Sequence, residues 1–138
     1  MNGDESQEKL LPEESPFYPV GGDQVILATD SAVAFYDRFP LTEGHALVVP
    51  RRPVISLCEL DPATHSAVWE TVRRTREILQ EKYSPDGFNI GINEGAAAGQ
   101  TIPHAHIHVI PRYKGDVPDP RGGIRWMIPE RAAYWTMK

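Results

Sequence analysis

The sequence predicts an α+β domain built on an antiparallel sheet with one long helix. Three observations lead there. Short stretches rich in β-branched and aliphatic residues recur along the chain. A helical repeat of apolar residues occurs once, over residues 62–83. The links between the early stretches are hairpin-sized, which suits antiparallel neighbours.

Taken in order, residues 1–14 (MNGDESQEKLLPEE) are polar and acidic and read as a disordered arm. A single domain is expected over residues 15–138, with residues 116–138 as a C-terminal extension. Gln24–Thr29 and Ala32–Tyr36 read as strands around a tight turn at Asp30 and Ser31. Residues 37–44 mix Pro and Gly with charges and read as a loop. His45–Pro50 is the next strand, followed by a basic loop at Arg51 and Arg52, either a solvated turn or a phosphate contact. Asp61 suits a helix N-cap and Pro62 the first helical position. Val68, Val72, Leu79 and Tyr83 then supply one apolar stripe, until residues 85–87 (PDG) end the helix. Phe88–Ile92 is a fourth strand. Residues 93–101 (NEGAAAGQT) form a loop of small residues, through which backbone N–H groups can approach an anion. Histidines alternate with apolar residues at His104, His106 and His108, a period of two that makes a strand. All three imidazoles then share one face, roughly 7 Å apart, while Ala105, Ile107 and Val109 enter the core.

The chain of 138 residues fits one domain. Its net charge of −5 disfavours nucleic-acid binding by charge. The charge is uneven: residues 1–15 carry five carboxylates against Lys9, so the rest is close to neutral. The one cysteine, Cys58, cannot form an internal disulfide, fits a reducing compartment and is expected to be buried. No signal peptide opens the chain and no apolar run approaches the length of a membrane span, so a soluble cytoplasmic protein is expected, with neither nucleic acid nor membrane as partner.

Three of the five histidines fall within five residues, and two chemistries compete for them. A metal could be held, with an open position for water. On a flat strand the outer two are too far apart for one ion, so Asp37 and His45 would have to supply further ligands. Alternatively, a neutral imidazole nitrogen attacks phosphorus, provided its other ring nitrogen is held by an acceptor and donors await the phosphoryl oxygens. The middle histidine, with a histidine on each side and the small-residue loop nearby, suits that role.

The run HAHIHVI over residues 104–110 resembles the signature of the histidine triad (HIT) family of nucleotide hydrolases and transferases. GHALVVP over residues 44–50 resembles that family's second motif, and residues 93–95 and 99–101 resemble its phosphate-side loop. The resemblance covers about residues 15–116. Gln100, Thr101, Pro111 and Arg112 are most similar to the branch acting on dinucleoside polyphosphates. It implies a five-stranded sheet that pairs across a two-fold axis into a homodimer. It implies a hydrolase cleaving at the α-phosphate of a purine nucleotide, either a diadenosine polyphosphate or a nucleoside phosphoramidate, through a nucleotidyl-histidine intermediate. A transferase or phosphorylase of the same family, or a nucleotide-binding adaptor, are the alternatives.

Residue by residue, the resemblance implies that His106 is the nucleophile, that the backbone carbonyl of His104 orients it, and that His108 binds the scissile phosphate. Asn93, Gly99, Gln100 and Thr101 would line the phosphate side and Asp37 would receive the ribose hydroxyls. Phe17, Val20, Phe35 and Leu47 would line the base pocket, and His45 would support the triad. No cofactor is required for the covalent step; magnesium, if it takes part, arrives on the substrate's polyphosphate. No catalytic metal is assigned. A structural zinc is not expected, because Ser15 and Tyr18 stand where many bacterial relatives carry a Cys-x-x-Cys pair. In the tail, Arg121 or Arg125 could reach a distal phosphate.

Overall fold

The computed structural model describes residues 10–138. Five strands, β1 (Val25–Ala28), β2 (Ala32–Tyr36), β3 (Ala46–Pro50), β4 (Gly87–Ile92) and β5 (Ile107–Arg112), form one antiparallel sheet in the order β1-β2-β3-β5-β4. The expected α+β architecture and its five strands are therefore present. The helix α1 runs Pro62–Tyr83, the span the repeat predicts. The Asp61 carboxylate accepts the Thr64 N–H at 3.2 Å and caps it. Ser84, with φ of 49°, turns the chain out of it.

Strand periodicity divides the apolar residues between two faces. Ala32, Ala34, Ala46 and Val48, with Ile107 and Val109, meet Val68, Val72 and Leu79 of the helix. Alanines on β2 and β3 keep this face shallow enough for α1 to lie close. Val33, Phe35, Leu47 and Val49 point the other way, into a second cluster with Leu11 and Val20. The helix buries two residues that the apolar stripe omits, Thr71 and Thr75. Each hydroxyl donates to the carbonyl four residues back, at 2.9 and 2.7 Å, so neither is buried with its polar atom unmet.

Four expectations need correction. The arm expected over residues 1–14 falls partly outside the described residues, yet the packed chain reaches Leu10. Leu11 is 2% exposed, and Arg51, instead of standing free in a basic loop, donates to the carbonyls of Thr29 and Leu10. Cys58 is exposed. It lies in a short 3-10 turn, Leu57–Glu59, where Leu57 and Leu60, three apart on one side, take the buried positions. Finally, β5 starts at Ile107, so His104 and His106 precede the strand. Pro50 would face this stretch across the ladder. It has no N–H to donate, and its carbonyl is taken by the His104 ring at 2.7 Å.

Leu79 has no exposed surface. Leu79→Ala should destabilise the fold by about 2–5 kcal/mol, read as a lowered urea midpoint at unchanged slope.

Candidate active site

The histidines lie on the sheet face away from α1. Ala105 turns to the helix side, as the alternation predicts, and His104 and His106 flank it on the other. His104 is itself fully buried, so the three rings do not form one open row. Phe17 packs on both His104 and His106, with ring centroids 5.4 Å from each. The rings of His106 and His108 are 5.3 Å apart, closer than the flat-strand estimate.

Hydrogen bonds to groups of known polarity set the proton on each ring. The Nε2–H of His104 donates to the Pro50 carbonyl. Its Nδ1 therefore accepts, and the Ser15 hydroxyl donates to it at 2.7 Å. That hydroxyl in turn accepts the Phe17 N–H at 3.1 Å. The Nδ1–H of His106 donates to the His104 carbonyl at 2.9 Å, which leaves the lone pair on Nε2. Across the site, the Leu41 N–H donates to His45 Nδ1 at 3.0 Å. The ring proton of His45 must then sit on Nε2, which donates to His108 Nδ1 at 2.9 Å. His108 consequently presents an N–H at Nε2. One ring offers a lone pair and its neighbour a donor.

Local chain geometry holds these partners in place. Gly44 has φ of 89°, and a Cβ there would meet the Tyr83 ring at 2.8 Å. Only glycine fits, and the turn it makes delivers His45 beneath β5. Asp37 opens the same loop. Its Oδ1 accepts the Phe39 N–H at 2.9 Å and its Oδ2 lies 3.4 Å from His45 Nε2.

Burial, the largest influence in each case, lowers the pKa of His45, His104 and His108. For His108 the value falls to about 4, with His106 and His45 adding to the effect and Asp37 opposing it. All three are neutral at physiological pH, as the proton assignment requires.

Asp37, His45 and His108 bring one donor atom each within 4.8 Å of one another, which is the ligand set the metal alternative called for. Proton placement opposes that use. A metal on His45 Nε2 would displace the ring proton while Nδ1 still accepts from Leu41, leaving an imidazolate. The Ser15 position fits a structural zinc no better, since a hydroxyl bonded between Phe17 N–H and His104 stands where a thiolate would be needed.

The other expected site residues are distributed unevenly. Asn93 and His108 line a common groove. Gln100 spends its amide on the backbone, accepting from Gly95 N–H and donating to the carbonyls of Ile55 and Ile102. Gly99, at φ of 97°, closes a 3-10 turn, and Thr101 is exposed. Phe17, Val20, Phe35 and Leu47 all belong to the second apolar cluster. Arg125 donates to the carbonyls of Arg131 and Ala132, and Arg121 pairs with Asp119 and lies over the Trp135 ring. Both tail arginines thus bond within the tail in this structure. Sequence reading missed the Ser15–His104 bond, which joins residues 89 apart and has no local signal.

Sheet order, the single long helix and the paired histidine donors define a HIT-type domain. Residues 20–115 match the HIT domain, and the chain belongs to that family. It is 40% identical over 99 residues to the asymmetrical bis(5'-nucleosyl)-tetraphosphatase of Schizosaccharomyces pombe, covering 72% of this chain and 54% of that protein. It is 33% identical over 93 residues to a bis(5'-adenosyl)-triphosphatase of Dictyostelium discoideum, covering 67% and 62%. Among solved structures, a HIT family protein from Bacillus anthracis superposes with a TM-score of 0.64 at 32% identity, covering 67% of this chain and 66% of that one. The chain thus spans little more than half the length of the curated relatives it matches. Among the described residues, no helix is long and apolar enough to cross a membrane.

Because the three histidines are held neutral, the unfolded chain binds more protons than the folded one between its ordinary histidine value of 6.5 and the lowered native values. Stability is complete above that range and falls as pH drops through it. The urea midpoint should decline steadily from pH 7 to pH 5, before most carboxylates titrate. A midpoint flat over that interval would refute the proton assignment.

Proposed function

We propose that this protein is a nucleotide hydrolase that cleaves at the α-phosphate of a purine nucleotide, with diadenosine polyphosphates as the preferred class. The observation that carries this reading is the hydrogen bond from His106 Nδ1–H to the His104 carbonyl, which in the neutral ring leaves Nε2 as the nucleophile. His106 Nε2 attacks the α-phosphorus. A P–N bond forms as the bond to the leaving group breaks, and the electron pair departs with that group, which takes a proton from solvent; the water that attacks in the second step returns one to solvent. The Nε2–H of His108 donates to a phosphoryl oxygen and stabilises the charge that develops there. Water then attacks the same phosphorus, the P–N bond breaks, and nucleoside monophosphate and neutral His106 are released.

Asp37 receives the ribose hydroxyls, for which an acceptor-only carboxylate is suited. The surface of Phe17, Val20, Phe35 and Leu47 receives the base, and Asn93, Gly99, Gln100 and Thr101 serve the phosphates. Gln100 must then release its bonds to the backbone when substrate binds. The working form is a cytoplasmic homodimer, and the covalent step needs no protein-bound metal.

Wild type and His106→Ala should be incubated with diadenosine tetraphosphate and no added metal, and AMP release followed. Early-quenched samples should be weighed intact for an adenylylated protein. Wild type should release AMP and carry the adduct. The variant should show no adduct and lose about 10⁴-fold or more in turnover, as removal of a nucleophile does. Equal turnover by both proteins would exclude His106 as the nucleophile, and tight nucleotide binding with no AMP from either would favour an adaptor.

A further inference from the structure

Beside His108 the open face of the sheet continues into a groove of about 930 Å³. Its floor is made by β4 and β5, where Gly91 pairs with His108 and Asn89 with Ile110. Its roof is the C-terminal tail. A Cβ added to Gly91 would lie 3.8 Å from Ile124 Cδ1, and one added to Gly123 would lie 3.3 Å from the Asn89 amide nitrogen. The match to the HIT domain ends at residue 115, so the roof lies beyond the matched stretch.

The register fixes where the groove stands relative to the histidines. Phe35 pairs with Leu47, Leu47 with His108, and His108 with Gly91. These four form one row across the sheet face, each strand about 4.8 Å from the next. Phe35 and Leu47 lie on one side of His108, and Gly91 and the groove on the other. A nucleotide with its base above Phe35 and Leu47 and its α-phosphate at His106 and His108 has Gly91 and the groove on the side of that phosphate away from the base.

The groove's chemistry indicates which part of the leaving group it takes. Arg112 and Asp116, the charged pair in its lining, neutralise one another through two bonds of 2.8 Å. Arg112 also donates to Asn89 Oδ1 at 2.6 Å. The guanidinium is spent, so the groove does not call for phosphate. Leu41, Ile110, Ile124 and Met127 give it apolar walls, and Asn93 adds a polar edge. A concavity of this size and mixture suits an uncharged, flat organic group.

We propose that this groove is a leaving-group site that receives the second nucleoside of a dinucleoside polyphosphate, and that Gly91 and Ile124 set the preference for a bulky leaving group over a small one. This rests on the hydrolase reading above. The test compares kcat/KM for diadenosine tetraphosphate with that for adenosine 5'-phosphoramidate, whose leaving group is only ammonia, in wild type, Gly91→Val and Ile124→Ser. Valine at 91 fills the floor beside His108, and serine at 124 strips the roof. Gly91→Val should lower the tetraphosphate-to-phosphoramidate ratio about tenfold or more, and Ile124→Ser should lower it through a raised KM for the tetraphosphate. Ratios unchanged in both variants, or both substrates falling together, would overturn the proposal. Wild type inactive on both substrates would instead sink the hydrolase reading on which it rests. Thermal melts report whether the variants fold; should Gly91→Val not fold, Ile124→Ser, at a position 59% exposed, decides the matter.

Discussion

The carbonyl of His104 accepts the Nδ1–H of His106, and the rest of the site follows from that bond. A histidine left to water exchanges its proton between two nitrogens and points its lone pair either way. Here the direction is set by a backbone group that cannot titrate. The carbonyl holds its own position because the His104 ring is anchored twice, to the Pro50 carbonyl and to the Ser15 hydroxyl. The end of β3 and the start of the folded chain therefore meet at one buried ring, and both orient a nitrogen two residues further on.

The partner side uses the same device in reverse. A backbone N–H from Leu41 fixes the proton of His45, and His45 passes that polarity to His108. Burial keeps these rings uncharged. Neutral rings make a low-cost interior, since no ion is desolvated and each ring nitrogen described here, apart from Nε2 of His106 and of His108, has a partner of defined polarity. The consequence is a site whose reactive and donating nitrogens are set before any substrate arrives, which is the condition for electrostatic preorganisation.

The sheet separates support from chemistry. Its helix-facing side uses small and branched residues, Ala32, Ala34, Ala46 and Val48, to seat α1. The other side carries Phe35, Leu47 and His108 in one row, and Gly91 extends it under the tail. Strand alternation allows both, because neighbouring residues on one strand serve opposite faces. The tail completes the open side with short 3-10 turns pinned by Arg125 to its own carbonyls.

Much of this was legible in the residue order. The span of α1 follows from one N-cap and a repeat of apolar positions, and the alternation of Ala105, Ile107 and Val109 against the histidines assigns each to its side. These signals are local, set by the periods of helix and strand. Position 75 was not legible, because threonine reads as polar until its hydroxyl finds the carbonyl one turn back. Nor was the burial of Leu11, the exposure of Cys58, or the start of β5 at Ile107, since each depends on what packs against it. By itself the sequence determined which residues could do chemistry and on which face they stand. The folded contacts settle which nitrogen of His104 and of His108 holds the proton, because there the choice is made by groups far away in the chain: Pro50 and Ser15 for His104, and His45 for His108.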